Sequence, residues 1–180
     1  MMNLKKFFLC TLLVSLCGAC QSNVQPQPTL VPVMEAPKPK PTVKHPLGII
    51  GAVEPVYILP MKTAFQARID TGAKVSSLDV DEYHLFERDG AKWISFTIKN
   101  AQSGETHHFE TPLKDFMIVR RIKENERRPI VILTVKFGGK TIKADFTLAK
   151  REKFEYQALI GRNILTGRAV VDPALSNTLR

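Results

Sequence analysis

Few side chains in this sequence carry the types and spacings that chemistry needs. All three cysteines, Cys10, Cys17 and Cys20, fall within the first 20 residues. The remainder therefore has no thiol nucleophile, no disulfide and no cysteine-based zinc site. His45, His84, His107 and His108 do not form the His-Glu-x-x-His spacing that puts two metal ligands on one helix face. His107 and His108 are adjacent, so on a strand they point to opposite faces. Gly139-Lys140-Thr141 ends like a phosphate-binding loop, but Thr134 stands where the first glycine belongs, and the stretch joins two strand-like runs. It reads as a hairpin turn. Ser76 and Ser77 have no nearby histidine to activate them and are expected to brace their loop. No metal and no cofactor is expected. Two stretches stand apart. Ile69-Asp70-Thr71-Gly72-Ala73 puts a carboxylate at a strand end, followed by a hydroxyl that can brace a turn and a glycine that lets another backbone approach. Read alone, it is a turn with a side-chain cap. The other, Ala158-Leu159-Ile160-Gly161-Arg162-Asn163-Ile164-Leu165-Thr166-Gly167, is an apolar strand, a glycine and a short helix.

The elements around them are strands. Phe65, Ala67 and Ile69 alternate with Gln66, Arg68 and Asp70, so Ile69 faces the core and Asp70 the other side. Ile94, Phe96 and Ile98 repeat the pattern, as do Val131, Leu133, Val135 and Phe137, and then Ile142, Ala144, Phe146 and Leu148. Gly138-Gly139 suits a tight hairpin between the last two runs, because glycine accepts positive φ. Helix signals are short, one turn over residues 81–86 and another over 162–165 stopped by Gly167. Residues 47–180 are thus expected to form a small all-β barrel or sandwich with one or two helical turns. Arg120, Arg121, Arg127 and Arg128 cluster with Lys123, Glu124 and Glu126 in a stretch that reads as a mixed-charge loop, with contact to anionic lipid or an acidic substrate as the alternative.

Together, in this order and with a hairpin-rich region between, the two stretches resemble the retropepsin-like aspartic proteases. Those enzymes carry an Asp-Thr-Gly-Ala loop and, later, an apolar-apolar-Gly-Arg-Asn segment that passes beneath it. Residues 48–173 look like the exported bacterial branch of that group, often labelled ATP-dependent zinc proteases. Gly51, Glu54, Leu59-Pro60, Lys74, Arg128-Pro129 and Val171-Asp172-Pro173 add to the match. The resemblance implies a closed acid-protease-like barrel that hydrolyses polypeptides with two carboxylates and one water. Carboxylates about 3 Å apart share one proton; the ionised one draws a proton from water and the protonated one hydrogen-bonds the carbonyl. This chain has one Asp-Thr-Gly, so the resemblance implies a homodimer with Asp70 from each copy on a twofold axis. Asp70, Thr71 and Gly72 are then the catalytic loop, and Ala73, Lys74, Leu159, Ile160, Gly161, Arg162 and Asn163 its support. A monomeric site recruiting Asp79 or Asp81 to Asp70 is the alternative. The hairpin over residues 94–111, with Gly104 giving its tip flexibility, is the candidate cover for the cleft. Lys74 stands where retropepsins have an acid paired with the arginine, and is expected to repel Arg162. A catalytically inactive module that binds an extended peptide is the other function this fold would serve.

The chain has 180 residues, net charge +9 and 44% hydrophobic content. That supports one core and excludes wholesale disorder. The first 19 residues read as a signal: a basic start, an apolar run over residues 7–16, then Gly18 and Ala19. Cys17-Gly18-Ala19-Cys20 resembles a bacterial lipobox, with Cys17 where leucine is usual. Lipidated Cys20 followed by Gln21 implies an outer-membrane anchor with the domain in the periplasm. Seven of the 12 prolines lie between Pro26 and Pro46, so residues 20–46 form an extended tether, or else a ligand for a Pro-binding domain. Nucleic acid is not an expected partner of an exported chain. Mass spectrometry of the mature protein is expected to find an acylated N-terminal Cys20; an unmodified mature N-terminus would contradict the anchor.

Overall fold

The computed structural model of the chain describes residues 44–120, 125–151 and 154–179. The leader, Cys20 and nearly all of the tether, with Arg121, Lys123 and Glu124 of the basic cluster, lie outside the described residues. Twelve strands and one helical turn follow in order: β1 (Gly48–Ile50), β2 (Val53–Ile58), β3 (Phe65–Ile69), β4 (Ser76–Asp79), β5 (Tyr83–Arg88), β6 (Ala91–Lys99), β7 (Thr106–Pro112), β8 (Asp115–Val119), β9 (Glu126–Phe137), β10 (Lys140–Ala149), β11 (Ala158–Ile160), α1 (Arg162–Leu165) and β12 (Ala169–Val171).

Six of these strands close a ring, in the order β10-β4-β11-β3-β2-β9, with β9 returning to β10; β8 hangs on the outer edge of β9. The period-two pattern fills it. Phe65, Ala67, Val131, Val135, Phe137 and Phe146 are buried in one cluster with Leu148, Ile160 and Ile164. This is the all-β barrel that the sequence anticipates. β9 and β10 turn on Gly138 and Gly139, at φ 53° and 72°, a region that disfavours side chains. At the centre, β11 runs parallel to β3 and antiparallel to β4, so that Ala158 lies beside both Ala67 and Leu78. This threading delivers the segment after β11 to the loop after β3.

A separate three-stranded sheet, β5-β6-β7, covers the core with Ile94, Phe96 and Ile98 of β6. Here two expectations are corrected. The helical turn over residues 81–86 is strand β5 instead, because Tyr83 pairs with Phe96 and Phe86 with Trp93 along β6; long-range pairing overrides a weak local signal. Arg127 and Arg128 are not in a loop but in β9. The Arg127 guanidinium lies 3.7 Å from the Phe116 ring centroid on β8, and Arg128 donates to Glu126 at 2.8 Å.

The two ends of the domain are stitched together. β1 pairs in parallel with β12. The tail beyond β12 crosses Gly51 so closely that a Cβ there would run into the Leu175 and Ser176 backbone. Glu54, fully buried on β2, clasps this tail. Its carboxylate accepts from Gly51 N–H at 2.6 Å, Thr178 N–H at 3.1 Å, the Thr178 hydroxyl at 2.7 Å and Leu179 N–H at 2.9 Å. Burial alone would raise its pKa, but the bonds from Leu179, Thr178 and Gly51 outweigh burial and hold it below the ordinary 4.5. An unfolded chain takes up this proton near pH 4.5 and the folded chain only at lower pH. The contribution is therefore complete above 4.5 and is lost as pH falls through the folded value. Glu54→Ala, which leaves several donors unmet, is expected to lower stability by about 2–4 kcal/mol at neutral pH and to flatten this acid limb. Denaturant titration at several pH values checks both.

Candidate active site

The outer face of β3 carries Gln66, Arg68 and, one residue past its end, Asp70. The Asp70 N–H continues the parallel ladder to the Ile160 carbonyl at 2.9 Å, which fixes where the carboxylate emerges. Asp70 then folds the chain around itself. Its Oδ1 accepts from Gly72 N–H at 2.8 Å and Ala73 N–H at 3.1 Å, an Asx-type turn. Its Oδ2 has no hydrogen-bond partner among the described residues. Thr71 and Gly72 are exposed and Ala73 half-buried.

The segment after β11 holds this loop from beneath. Gly161 is buried so tightly that a Cβ would meet Val75 C at 2.9 Å and Ala73 O at 3.0 Å. Arg162 donates through Nη1 to the Thr71 and Gly72 carbonyls at 3.0 and 2.7 Å, and its own N–H donates to Ala73 O at 2.9 Å. Asn163 Oδ1 accepts from Ser76 N–H at 3.0 Å and the Ser76 hydroxyl at 2.9 Å, while its Nδ2 donates to Asp145 O at 2.8 Å. Ser76 Oγ in turn accepts from Gly161 N–H at 3.0 Å. Leu159 and Ile160 form the strand that carries this segment. Asp70, Thr71, Gly72 and Ala73 are thus brought together with Gly161, Arg162 and Asn163, and Ser76 braces the loop as its sequence context suggests. The repulsion expected between Lys74 and Arg162 is not what shapes the site: the guanidinium takes loop carbonyls in place of an acidic partner, and Lys74 is exposed.

Other candidates are placed elsewhere. Asp79 ends β4, where Leu78 is level with Ala158 and hence with Ala67, so Asp79 sits toward the start of β3. From Gln66 to Asp70 is roughly 13 Å of strand. Its Oδ1 is also occupied, accepting from Arg151 N–H at 2.6 Å, and Asp81 lies farther along. No second carboxylate of the described chain bonds to Asp70. The hairpin of β6 and β7 forms over the expected residues, but it is a wall and not a free cover, because its inner face is packed in the core. Its tip is fastened at the far end of β3: Glu105 accepts from Lys62 and Thr63 N–H at 2.9 and 2.8 Å, and Asn100 Nδ2 donates to Ala64 O at 3.0 Å. Gly104, at φ 76°, is not brought to the Asp70 loop. Arg151, which sequence reasoning passed over, is a buried cation. Burial pushes its pKa down, Arg128 adds to this, and Asp79 and, least of all, Asp70 oppose it; its N–H donates to Asp79 and its Nε to the Tyr156 carbonyl at 3.2 Å, so it belongs to the Asp79 end of the sheet. Among the described residues no group of three or more His, Cys, Asp or Glu is placed to hold a metal ion.

An Asp-Thr-Gly loop clasped by a Gly-Arg-Asn segment in a closed six-stranded barrel defines the retropepsin-like aspartic endopeptidases. The family model described as "Retropepsin-like aspartic endopeptidase RimB" (RimB-like) matches residues 49–179, and the chain belongs to that family. Two curated relatives are each named "Probable alpha-L-glutamate ligase". The one from Desulfotalea psychrophila is 31% identical over 119 residues and the one from Parasynechococcus marenigrum 33% over 119 residues, the match covering 64% of this chain and 26% of each relative. The chain thus spans about a quarter of the length of these relatives. The crystal structure of a Legionella pneumophila protein of unknown function superposes with a TM-score of 0.64 at 30% identity, over 74% of this chain and 98% of that one.

Asn163→Ala is expected to cost about 2–3 kcal/mol, since the Ser76 N–H and hydroxyl and the Asp145 carbonyl lose their partner. Gly161→Ala is expected to cost about 1–3 kcal/mol by forcing the Asp70 loop off its support. Thermal unfolding of both variants checks the clasp.

Proposed function

We propose that the chain is an aspartic-type endopeptidase, anchored by lipid on Cys20 in the outer membrane and working in the periplasm as a homodimer. One observation carries the reading: Asp70 is half-buried, has one oxygen locked by two backbone N–H groups, and has the other without a hydrogen-bond partner among the described residues. A second copy facing it across a twofold axis would supply the twin carboxylate that this chain lacks. With one proton shared by the pair, the ionised carboxylate takes a proton from water, whose oxygen adds to the peptide carbonyl. The protonated carboxyl hydrogen-bonds the carbonyl oxygen, and a proton passes to the leaving nitrogen as the C–N bond breaks. Arg162 and Asn163 position the loop. The names of the ligase relatives add a substrate class, a polypeptide that bears glutamate, which the exposed Arg68 beside Asp70 suits by charge.

A second reading, a peptide-binding module without catalysis, is favoured by the lack of a second carboxylate bonded to Asp70 within the described chain. Asp70→Asn and Asp70→Ala separate the two. Loss of peptide cleavage by at least about a thousandfold, with unchanged circular dichroism and melting, is the expected result. Cleavage that survives both substitutions overturns the peptidase reading, and peptide binding without cleavage by the wild type supports the module.

A further inference from the structure

Four cavities adjoin one another around the domain. The first, about 300 Å³, opens beside Gln66, on the same face of β3 as Asp70, and is walled by the hairpin tip and Gln157. It shares Ala101 and Gln157 with a second of about 240 Å³. The second shares Asp81 with a third of about 380 Å³, and the third shares Arg127 with a fourth of about 280 Å³. This series ends along β5.

That strand is unfinished. It pairs with β6 on one side only, and no backbone hydrogen bond leaves its other edge among the described residues. Free edges are usually protected by charge or cover; β5 carries exposed Glu87 and Arg88 at its end, but its first half presents Tyr83 and Leu85, 43% and 44% exposed. Beside it, the fourth cavity has apolar walls from Leu85, Phe86, Leu113 and Phe116. At the opposite end of the series, Gln66 Oε1 is buried without a hydrogen-bond partner, an acceptor awaiting a donor.

We propose that this groove holds an extended polypeptide, the substrate of the Asp70 site, whose distal segment adds as a strand to β5. A row of unpaired N–H and C=O groups is matched in register only by another backbone, and that fixes the occupant as a polypeptide. The cavity beside β5, with apolar walls and Glu87, Lys92 and Arg127 at its rim, takes its alternate side chains, since residues of a strand face one way every second position. Nearer Asp70 a peptide N–H donates to Gln66 Oε1, while the Asn100 and Gln157 carboxamides hold the hairpin tip that walls the groove. Calling the polypeptide a substrate rests on the peptidase reading; the groove and its strand addition do not.

The test uses the full chain carrying Asp70→Asn, with β-casein as an extended, uncleaved probe, read by amide hydrogen exchange and by fluorescence anisotropy. Casein is expected to slow exchange of β5 amides at least about tenfold, as strand addition requires. Leu85→Glu, at a half-exposed position on the wall of that cavity, is expected to weaken binding on the order of tenfold, with circular dichroism confirming that the variant is folded. β5 amides that exchange at one rate with and without casein overturn the proposal, whether or not casein binds elsewhere. Cleavage by the unsubstituted chain is scored separately. Cleavage with β5 unprotected removes the groove and keeps the peptidase; protection without cleavage does the reverse.

Discussion

Gly161 passes against the backbone of Ala73 and Val75 with no room for a methyl group, and the site depends on this contact. It lets the segment leaving β11 lie directly beneath the loop leaving β3. Arg162 can then reach two loop carbonyls, and Asn163 can fill the gap between Ser76 and Asp145. The loop's polar groups are thereby satisfied by side chains from residues some 90 positions away in sequence, which is why a short loop can hold a carboxylate in one place. The barrel serves this crossing: β11 must sit between β3 and β4, parallel to one and antiparallel to the other, for Gly161 to arrive there.

This arrangement also sets what one copy lacks. All the bonding of the loop is directed inward, to Asp70 Oδ1 and to the carbonyls of Thr71, Gly72 and Ala73. The outward parts, Oδ2 and the Thr71 hydroxyl, have no hydrogen-bond partner among the described residues. The nearest alternatives in sequence, Asp79 and Asp81, are held at the other end of β3 by the register of the sheet. The charged side chains nearest Asp70 are cationic, Arg68 on the same strand face and Arg162 on the loop carbonyls, in keeping with a chain of net charge +9. The domain is built to present one carboxylate.

Much of this was legible in the residues. Alternation placed Phe65, Ala67 and Ile69 inside and Asp70 outside, and Gly138-Gly139 marked the β9–β10 turn. The pairing of Asp-Thr-Gly with Gly-Arg-Asn pointed to the crossing, and Ser76 was placed as a brace. What escaped was set by distant contacts with no local signature. The grip of Glu54 on Thr178 and Leu179 spans the whole domain. Residues 81–86 read locally as a helical turn, and the stretch becomes strand β5 because β6 is there to pair with it. The hairpin tip could be seen as a hairpin, but not that Glu105 would find the amides of Lys62 and Thr63 and fasten it away from Asp70. The Lys74–Arg162 repulsion was inferred from charge alone, whereas Arg162 is governed by the carbonyls within its reach.

The central claim is that each working site needs Asp70 from two copies of the chain. The direct measurement mixes unsubstituted protein with an equal amount of the Asp70→Asn variant, lets the subunits exchange, and follows peptide cleavage per total unsubstituted and variant chain. Random pairing of two copies leaves only the fully unsubstituted pairs active, so activity is predicted to fall to about one quarter of that of the unsubstituted protein. A fall to about one half, as independent single-chain sites would give, would contradict the account.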